Sequence, residues 1–253
     1  MRNLIDKLNR YFTFNSEEIK GILGSTLIIA FIISFKLWGP SDKFNLSYGL
    51  KNFFNSILIT LLAILVHISA QKIYGLYIGF KVEFRTFWPG LLIALVLCFV
   101  SRGAIWLLIP GGIVIYHMAK HRLGFFRYGI NYWSLGMISA IGPLANVCIA
   151  ALLAVIAYGG VIIPPMTPIS TTTLIGRAIS LNLWLAIFTM LPIPPLDGSN
   201  MFFASRLLYA FAFGCIVGYA MLVLFLGFYS LVFVILMGII FWFLTYQVME
   251  KAG

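Results

Sequence analysis

Leu65-Val66-His67-Ile68-Ser69-Ala70-Gln71-Lys72 lies inside an apolar run that begins near Phe53 and continues into the Tyr74 region. A helix that crosses a bilayer needs about 20 such residues, and an ionisable side chain placed inside one is a functional candidate because it is costly there. Outward from this stretch the whole chain has the same character. Its 253 residues are 62% hydrophobic and 9% charged, with a mean hydropathy of +1.02, against roughly 45–50% apolar and about 25% charged in soluble domains. An ordinary soluble protein is excluded. The 17 basic residues outweigh 7 acidic ones but do not cluster, so the bilayer is an expected partner and nucleic acid is not. Cys98, Cys148 and Cys215 each sit in an apolar run, where free cysteine behaves as a small hydrophobe, and no disulfide framework is implied.

The expected fold class is an all-α polytopic membrane protein of about six transmembrane helices, with a re-entrant hairpin and short membrane-associated β-strands. Residues 1–20 carry Arg2, Lys7, Arg10 and Lys20 with Asp6, Glu17 and Glu18, too many charges for the apolar core of a secretory signal, and read as a cytoplasmic leader. Asn15 followed by Glu18 has the spacing of a helix cap and its reciprocal carboxylate, which sets a helix start near Ser16. Residues 21–249 then form a single membrane domain, with spans about 21–38, 53–75, 134–158, 175–193, 207–226 and 230–248. Lys81-Val82-Glu83-Phe84-Arg85 alternates as a strand does, and Trp88-Pro89-Gly90 ends it. The apolar run after it is broken by Ser101-Arg102-Gly103. Residues 90–110 are therefore expected to re-enter rather than cross, the alternative being a full span with Arg102 reaching for an interface. Residues 113–133 read as a β-hairpin around Lys120-His121-Arg122.

A cytoplasmic N-terminus places most of the basic residues inside and leaves Lys36, Lys43, Lys51 and Arg177 outside, in keeping with the positive-inside rule. Both termini are then cytoplasmic in a multi-pass protein of the cell membrane. A full span at 90–110 would turn the basic Lys120–Arg127 turn outward and weaken that bias. Gly214 and Gly218 permit close helix approach, most simply within the bundle; Gly75 and Gly79 serve a helix end. Trp38, Trp88, Trp133 and Trp242 fall near span ends, as interfacial aromatics do. The uncharged outer loop Gly159–Thr173 is a candidate face for a partner protein.

His67 and Asp197 are the two residues of the apolar segments that stand out as chemistry. Taken alone, each has an ordinary reading, a helix-packing histidine and a loop carboxylate. The wording around them changes this. Leu65 to Lys72, then Tyr74-Gly75, Val82-Glu83-Phe84-Arg85 and Trp88-Pro89-Gly90 resemble the active-site helix and following strand of the site-2 protease family, intramembrane zinc metalloproteases. Gly142-Pro143-Leu144-Ala145-Asn146 is similar to that family's G-P-x-x-N element, and Leu191-Pro192-Ile193-Pro194-Pro195-Leu196-Asp197-Gly198 to its N-x-x-P-x-x-P-x-D-G element. The resemblance runs from about Ile19 to Arg206 and is most like archaeal members. It implies zinc held by two histidines of H-E-x-x-H and one aspartate, with the fourth position left for water, and the glutamate as general base.

The chain departs from that pattern in three places. Ile68 stands at the general base, Gln71 at the second histidine, and Thr189 at the asparagine eight residues before Asp197; His67 and Asp197 alone match. The expected reading is a pseudoprotease, with the metal positions His67 and Asp197 vestigial, no catalytic residue and no cofactor. Its partners would be other integral membrane proteins or transmembrane helices, because loss of the metal leaves the substrate-binding groove and edge strand. Val82–Arg85 and Ile113–Trp133 are the strands expected to pair with them. Two alternatives stay open. One is an active zinc metalloprotease with an altered ligand set, to which His117 and His121 would be the first donors to consider, although a strand there puts residues four apart roughly 13 Å from each other. The other is a transporter or channel built on Arg102, for which no inverted repeat is visible.

Overall fold

The structure is a computed structural model and describes residues 2–39, 44–117, 132–157, 173–226 and 231–251. Its element order is α1 (Arg2–Tyr11), α2 (Ser16–Ser34), α3 (Leu46–Ile78), β1 (Phe80–Thr86), α4 (Trp88–Val100), β2 (Gly111–His117), α5 (Tyr132–Ala157), α6 (Leu174–Thr189), α7 (Asp197–Ala204), α8 (Arg206–Met221), a π-helical turn Leu222–Leu226, and α9 (Leu231–Lys251). The protein is mostly helical with a small two-stranded sheet. Where the sequence reads as a single domain over 21–249, the packing falls into two compact units, Met1–Ala119 and Lys120–Gly253.

In the first unit, Glu18 joins four segments. Its carboxylate accepts the Asn15 backbone N–H at 2.8 Å, which caps α2 at Ser16 where the sequence places the start. The same carboxylate accepts the Phe84 N–H of β1 at 2.8 Å and pairs with Lys72 Nζ of α3 at 2.8 Å, both side chains being 4% exposed. Lys72 also donates to the Thr13 carbonyl at 2.9 Å and lies over the Phe14 ring. Two glycines then admit the strand. Gly75 lets Val82 and the Phe80 carbonyl approach α3, and Gly21 lets Thr86 approach α2. Strand β1 buries Phe80, Val82 and Phe84 and pairs antiparallel with β2, Phe84 opposite Ile113 and Thr86 opposite Gly111.

Between these strands the chain makes a closed excursion. It leaves at Thr86 and returns at Gly111, with the Phe87 N–H donating to the Pro110 carbonyl at 3.2 Å. Helix α4 has 13 residues, about 20 Å at 1.5 Å per residue, short of the roughly 30 Å of a hydrocarbon core. It stops at Arg102, whose φ is 52°; Arg102 N–H bonds to Phe99 O and Gly103 N–H to Cys98 O, the paired bonds of a Schellman ending. Residues 104–110 come back without regular structure along the side of α4, where Trp106 and Leu107 pack with Ile32, Ala94 and Cys98. The polar break in the sequence is thus a helix terminus, which gives Arg102 a place at a chain reversal.

In the second unit, α8 and α9 approach through small residues. A side chain on Gly214 would meet Phe241, one on Gly218 would meet Met237, and one on Gly238 would meet Cys215. The G-x-x-x-G is therefore used inside the chain, as expected. Among the described residues three helices, Leu46–Ile78, Tyr132–Ala157 and Arg206–Leu224, are long and apolar enough to cross a membrane. That is fewer than the six spans read from hydropathy.

For two of the expected spans the boundaries explain the difference. The 21–38 run stops being helical at Ser34, and Glu17, Glu18 and Lys20 occupy the first turns of α2. The 175–193 run yields the 16-residue α6, because the prolines after Leu191 end it. Conversely, α3 is 33 residues long rather than the 53–75 expected, since Asn45 Oδ1 caps it at the Tyr48 N–H, 3.1 Å away. Of the expected hairpin 113–133, the first strand is β2, residues 118–131 lie outside the described residues, and Tyr132 and Trp133 belong to α5, a correction at that boundary. The loop 159–173 lies outside them too, up to residue 172.

Two outcomes follow from the first unit. Lys72→Met leaves the buried Glu18 carboxylate without its counter-charge and is expected to cost about 3–5 kcal/mol, measured as a shift of the unfolding midpoint in detergent. Arg102→Gly removes the left-handed strain of about 1–2 kcal/mol and gives back about 0.4–1 kcal/mol of unfolded-chain entropy, so the same measurement should show a stabilisation of about 0.5 kcal/mol.

Candidate functional site

The site residues read from the sequence fall into two groups, one in each unit. In the first, α3 turns a single stripe inward, spaced by three and four residues. From Asn52 through Ser56, Thr60, Ile64 and His67 to Gln71 and Gly75, every member is buried. His67 is 6% exposed, Ile68 1% and Gln71 0%. His67 and Gln71 therefore share one helical face, the arrangement two metal-binding histidines would need, with the apolar Ile68 beside them. The face carries one imidazole and one carboxamide.

In the second unit, the chain between α6 and α7 closes on itself. A Cβ on Gly198 would meet the Met190 carbonyl, and the Leu191 carbonyl at 2.6 Å, so only glycine allows the two ends to touch. Tyr209 O–H of α8 donates to the same Met190 carbonyl at 3.0 Å. Thr189 and Asp197 flank this turn. Asp197 begins α7 and is 1% exposed, in a position where the helix N-terminus favours a carboxylate. Thr189 Oγ1 donates to its own helix, to Leu185 O at 2.8 Å. Its hydroxyl proton is thereby committed to the helix backbone.

Gly142-Pro143-Leu144-Ala145-Asn146 lies inside α5, with Pro143 in the helix and Gly142, Pro143 and Asn146 buried. Helix α7 docks beside it. Asn200 Nδ2 donates to Ser139 Oγ at 3.0 Å, and Gly136 faces Ala204 and the Asn200 carbonyl. Asn146 is fully buried, and neither atom of its carboxamide has a hydrogen-bond partner among the described residues. Sequence reading quotes this residue for its motif and assigns it no role; a polar residue in an apolar helix is the signal that marks it.

A catalytic zinc site needs three protein donors around an open position. Among the described residues, no group of three or more His, Cys, Asp and Glu could hold a metal ion. Ile68 cannot take a proton, and Gln71 offers zinc a poor neutral oxygen. The residues present do not fit the group. His117 ends β2 opposite Phe80, so it belongs to a strand and not to a zinc-binding helix; His121 lies outside the described residues.

No protein-family model matches the chain, and no solved structure matches it. A protein of Methanocaldococcus jannaschii named as a putative zinc metalloprotease is 26% identical over 214 residues, which are 85% of this chain and 98% of that protein. The likeness is to a metalloprotease. The match covers nearly the whole length of that relative.

Gly198→Ala tests the turn that carries Asp197. It is expected to destabilise by at least about 2 kcal/mol, among the larger single-residue effects, in thermal unfolding followed by circular dichroism.

Proposed function

We propose that the chain is a catalytically silent integral membrane protein of the site-2 protease type, which binds transmembrane helices or serves as a membrane-complex subunit. The observation that carries this reading is the stripe of α3, where His67-Ile68-Ser69-Ala70-Gln71 keeps the face of H-E-x-x-H without its base or its second nitrogen donor. The order of the three motifs and the extent of the relative support the family. The closed excursion of residues 87–110 supports re-entry of that segment, with both termini in the cytoplasm by the distribution of basic residues.

Binding would use the sheet. The Phe84 N–H points to Glu18, so the outer edge of β1 is sealed, and Phe84–Ile113 is a pair that exchanges no ladder bonds. In the antiparallel alternation Ile113 and Ile115 then direct their backbone groups away from β1. Among the described residues β2 is paired on one side only. Of the two strands that the sequence offers for an unwound partner segment, Val82–Arg85 and Ile113–Trp133, the second, in its β2 part, is therefore the one we assign to pairing.

Metal content of the purified protein, measured by mass spectrometry beside His67→Ala and Asp197→Ala, tests the reading. The expected result is zinc far below one ion per chain, unchanged in both variants. Near-stoichiometric zinc that disappears in both would overturn it in favour of the active metalloprotease with an altered ligand set, the reading that the relative's name favours.

A further inference from the structure

A cleft of about 470 Å³ opens between the first turns of α2 and strand β1. Its lining includes Glu17, Lys20, Glu83, Arg85 and Trp88. Two features give it a direction. Helices α2 and α4 run away from the cleft side by side, since Gly24 lies against the Trp88 indole and, further along, the Ile32 carbonyl accepts from Cys98 Sγ and Phe31 packs on Phe99. Each also carries an exposed apolar stripe starting at the cleft. On α2 the stripe is Ile19, Leu23 and Leu27; on α4 it is Trp88, Leu92 and Val96, all close to half exposed or more. Charged side chains therefore give way to uncovered hydrocarbon along one line, with an indole at the boundary where aromatic side chains favour the membrane interface.

The charges in the cleft are not all committed. Glu83 accepts from Lys81 Nζ at 2.9 Å and from Asn15 Nδ2 at 3.0 Å. Its carboxyl is held below the usual range, foremost by the Lys81 hydrogen bond, so it is ionised and already matched. Glu18 is consumed by Lys72. Glu17 pairs with Lys20 at 3.1 Å with both side chains largely in solvent, where such a pair is worth little and a stronger anion displaces it. Arg85 has no carboxylate partner within ion-pairing distance among the described residues; its guanidinium donates at 3.4 Å to the Tyr116 hydroxyl, a long bond to a neutral group.

We propose that this cleft is a phospholipid site, in which Lys20 and Arg85 hold the headgroup phosphate and the acyl chains lie along the Leu23–Leu27 and Leu92–Val96 stripes beside Trp88. Arg85 supplies the planar donor pair that phosphate accepts, and Lys20 exchanges the exposed Glu17 for it. The occupant has to be amphiphilic, because a soluble phosphate would leave both stripes uncovered.

Native mass spectrometry of the full chain in detergent tests this, with dioleoyl phosphatidylglycerol, inorganic phosphate and dioleoylglycerol as the probes. Wild type is expected to retain one phosphatidylglycerol in preference to dioleoylglycerol. Lys20→Ala with Arg85→Ala should weaken that retention about tenfold or more, the loss of charge-assisted bonds to phosphate, while Lys51→Ala, an exposed lysine of α3, leaves it unchanged. Both cleft side chains are exposed, and unaltered circular dichroism of the double variant confirms its fold. Equal loss in Lys51→Ala, unchanged retention in the double variant, or inorganic phosphate displacing the lipid as well as free phosphatidylglycerol does would each overturn the proposal.

Discussion

A carboxylate and an ammonium withdrawn from solvent hold the first unit in register. Removing Glu18 and Lys72 from water costs several kcal/mol for each ion, and the Coulomb attraction alone does not repay it. The repayment comes from filling the remaining lone pairs and protons. Both oxygens of Glu18 accept backbone N–H groups, from Asn15 and Phe84, and Lys72 reaches the Thr13 carbonyl. Because those partners lie in the leader, α2, α3 and β1, the pair can be satisfied only when all four are placed together. Apolar packing is tolerant of small slips, whereas this arrangement accepts a single alignment. It is this alignment that puts His67, five residues before Lys72, at its depth in α3.

The parts of the fold that were legible in the sequence are those with a local cause. Asn15 and Glu18 mark a helix start through bonds three residues apart, and the alternation of Lys81 to Arg85 marks β1. The polar break at Ser101-Arg102-Gly103 marks the end of α4. What could not be read is the longer-range share of the same residues. Nothing in the local pattern shows that Glu18 also takes the Phe84 N–H on the side of β1 away from β2. Hydropathy likewise sees composition and not caps. It shortens α3 by missing Asn45, and it lengthens the 175–193 segment past the point where prolines end α6.

The site divides in the same way. Residue identities at 67, 68, 71, 189 and 197 are visible in the chain, and the helical face shared by His67 and Gln71 follows from their spacing. Burial of the whole stripe and the bond from Thr189 to the Leu185 carbonyl are not, because both depend on what surrounds a helix and how a rotamer settles. Thr189 is instructive. A hydroxyl in an apolar helix turns back to the carbonyl one turn before it, so its proton is spent on the helix itself and only its oxygen lone pairs remain.

An uncharged inner face is physically coherent for a helix as deeply buried as α3 is around His67. In H-E-x-x-H a glutamate and two histidines sit within an apolar helix, and each must be compensated by metal, water or substrate. Replacing the glutamate by Ile68 exchanges a charge that needs compensation for one of the most completely buried hydrocarbons in the unit, and Gln71 is uncharged at any pH. Both changes lower the cost of burying α3. By contrast, the residues that maintain the architecture keep their demanding features: the cleft-side ion pair, Gly75 beneath Val82, and Gly198 against the Met190 carbonyl. Each is a demand of the fold rather than of a reaction: a buried charge pair that needs every bond filled, and two backbone approaches that leave no room for a Cβ.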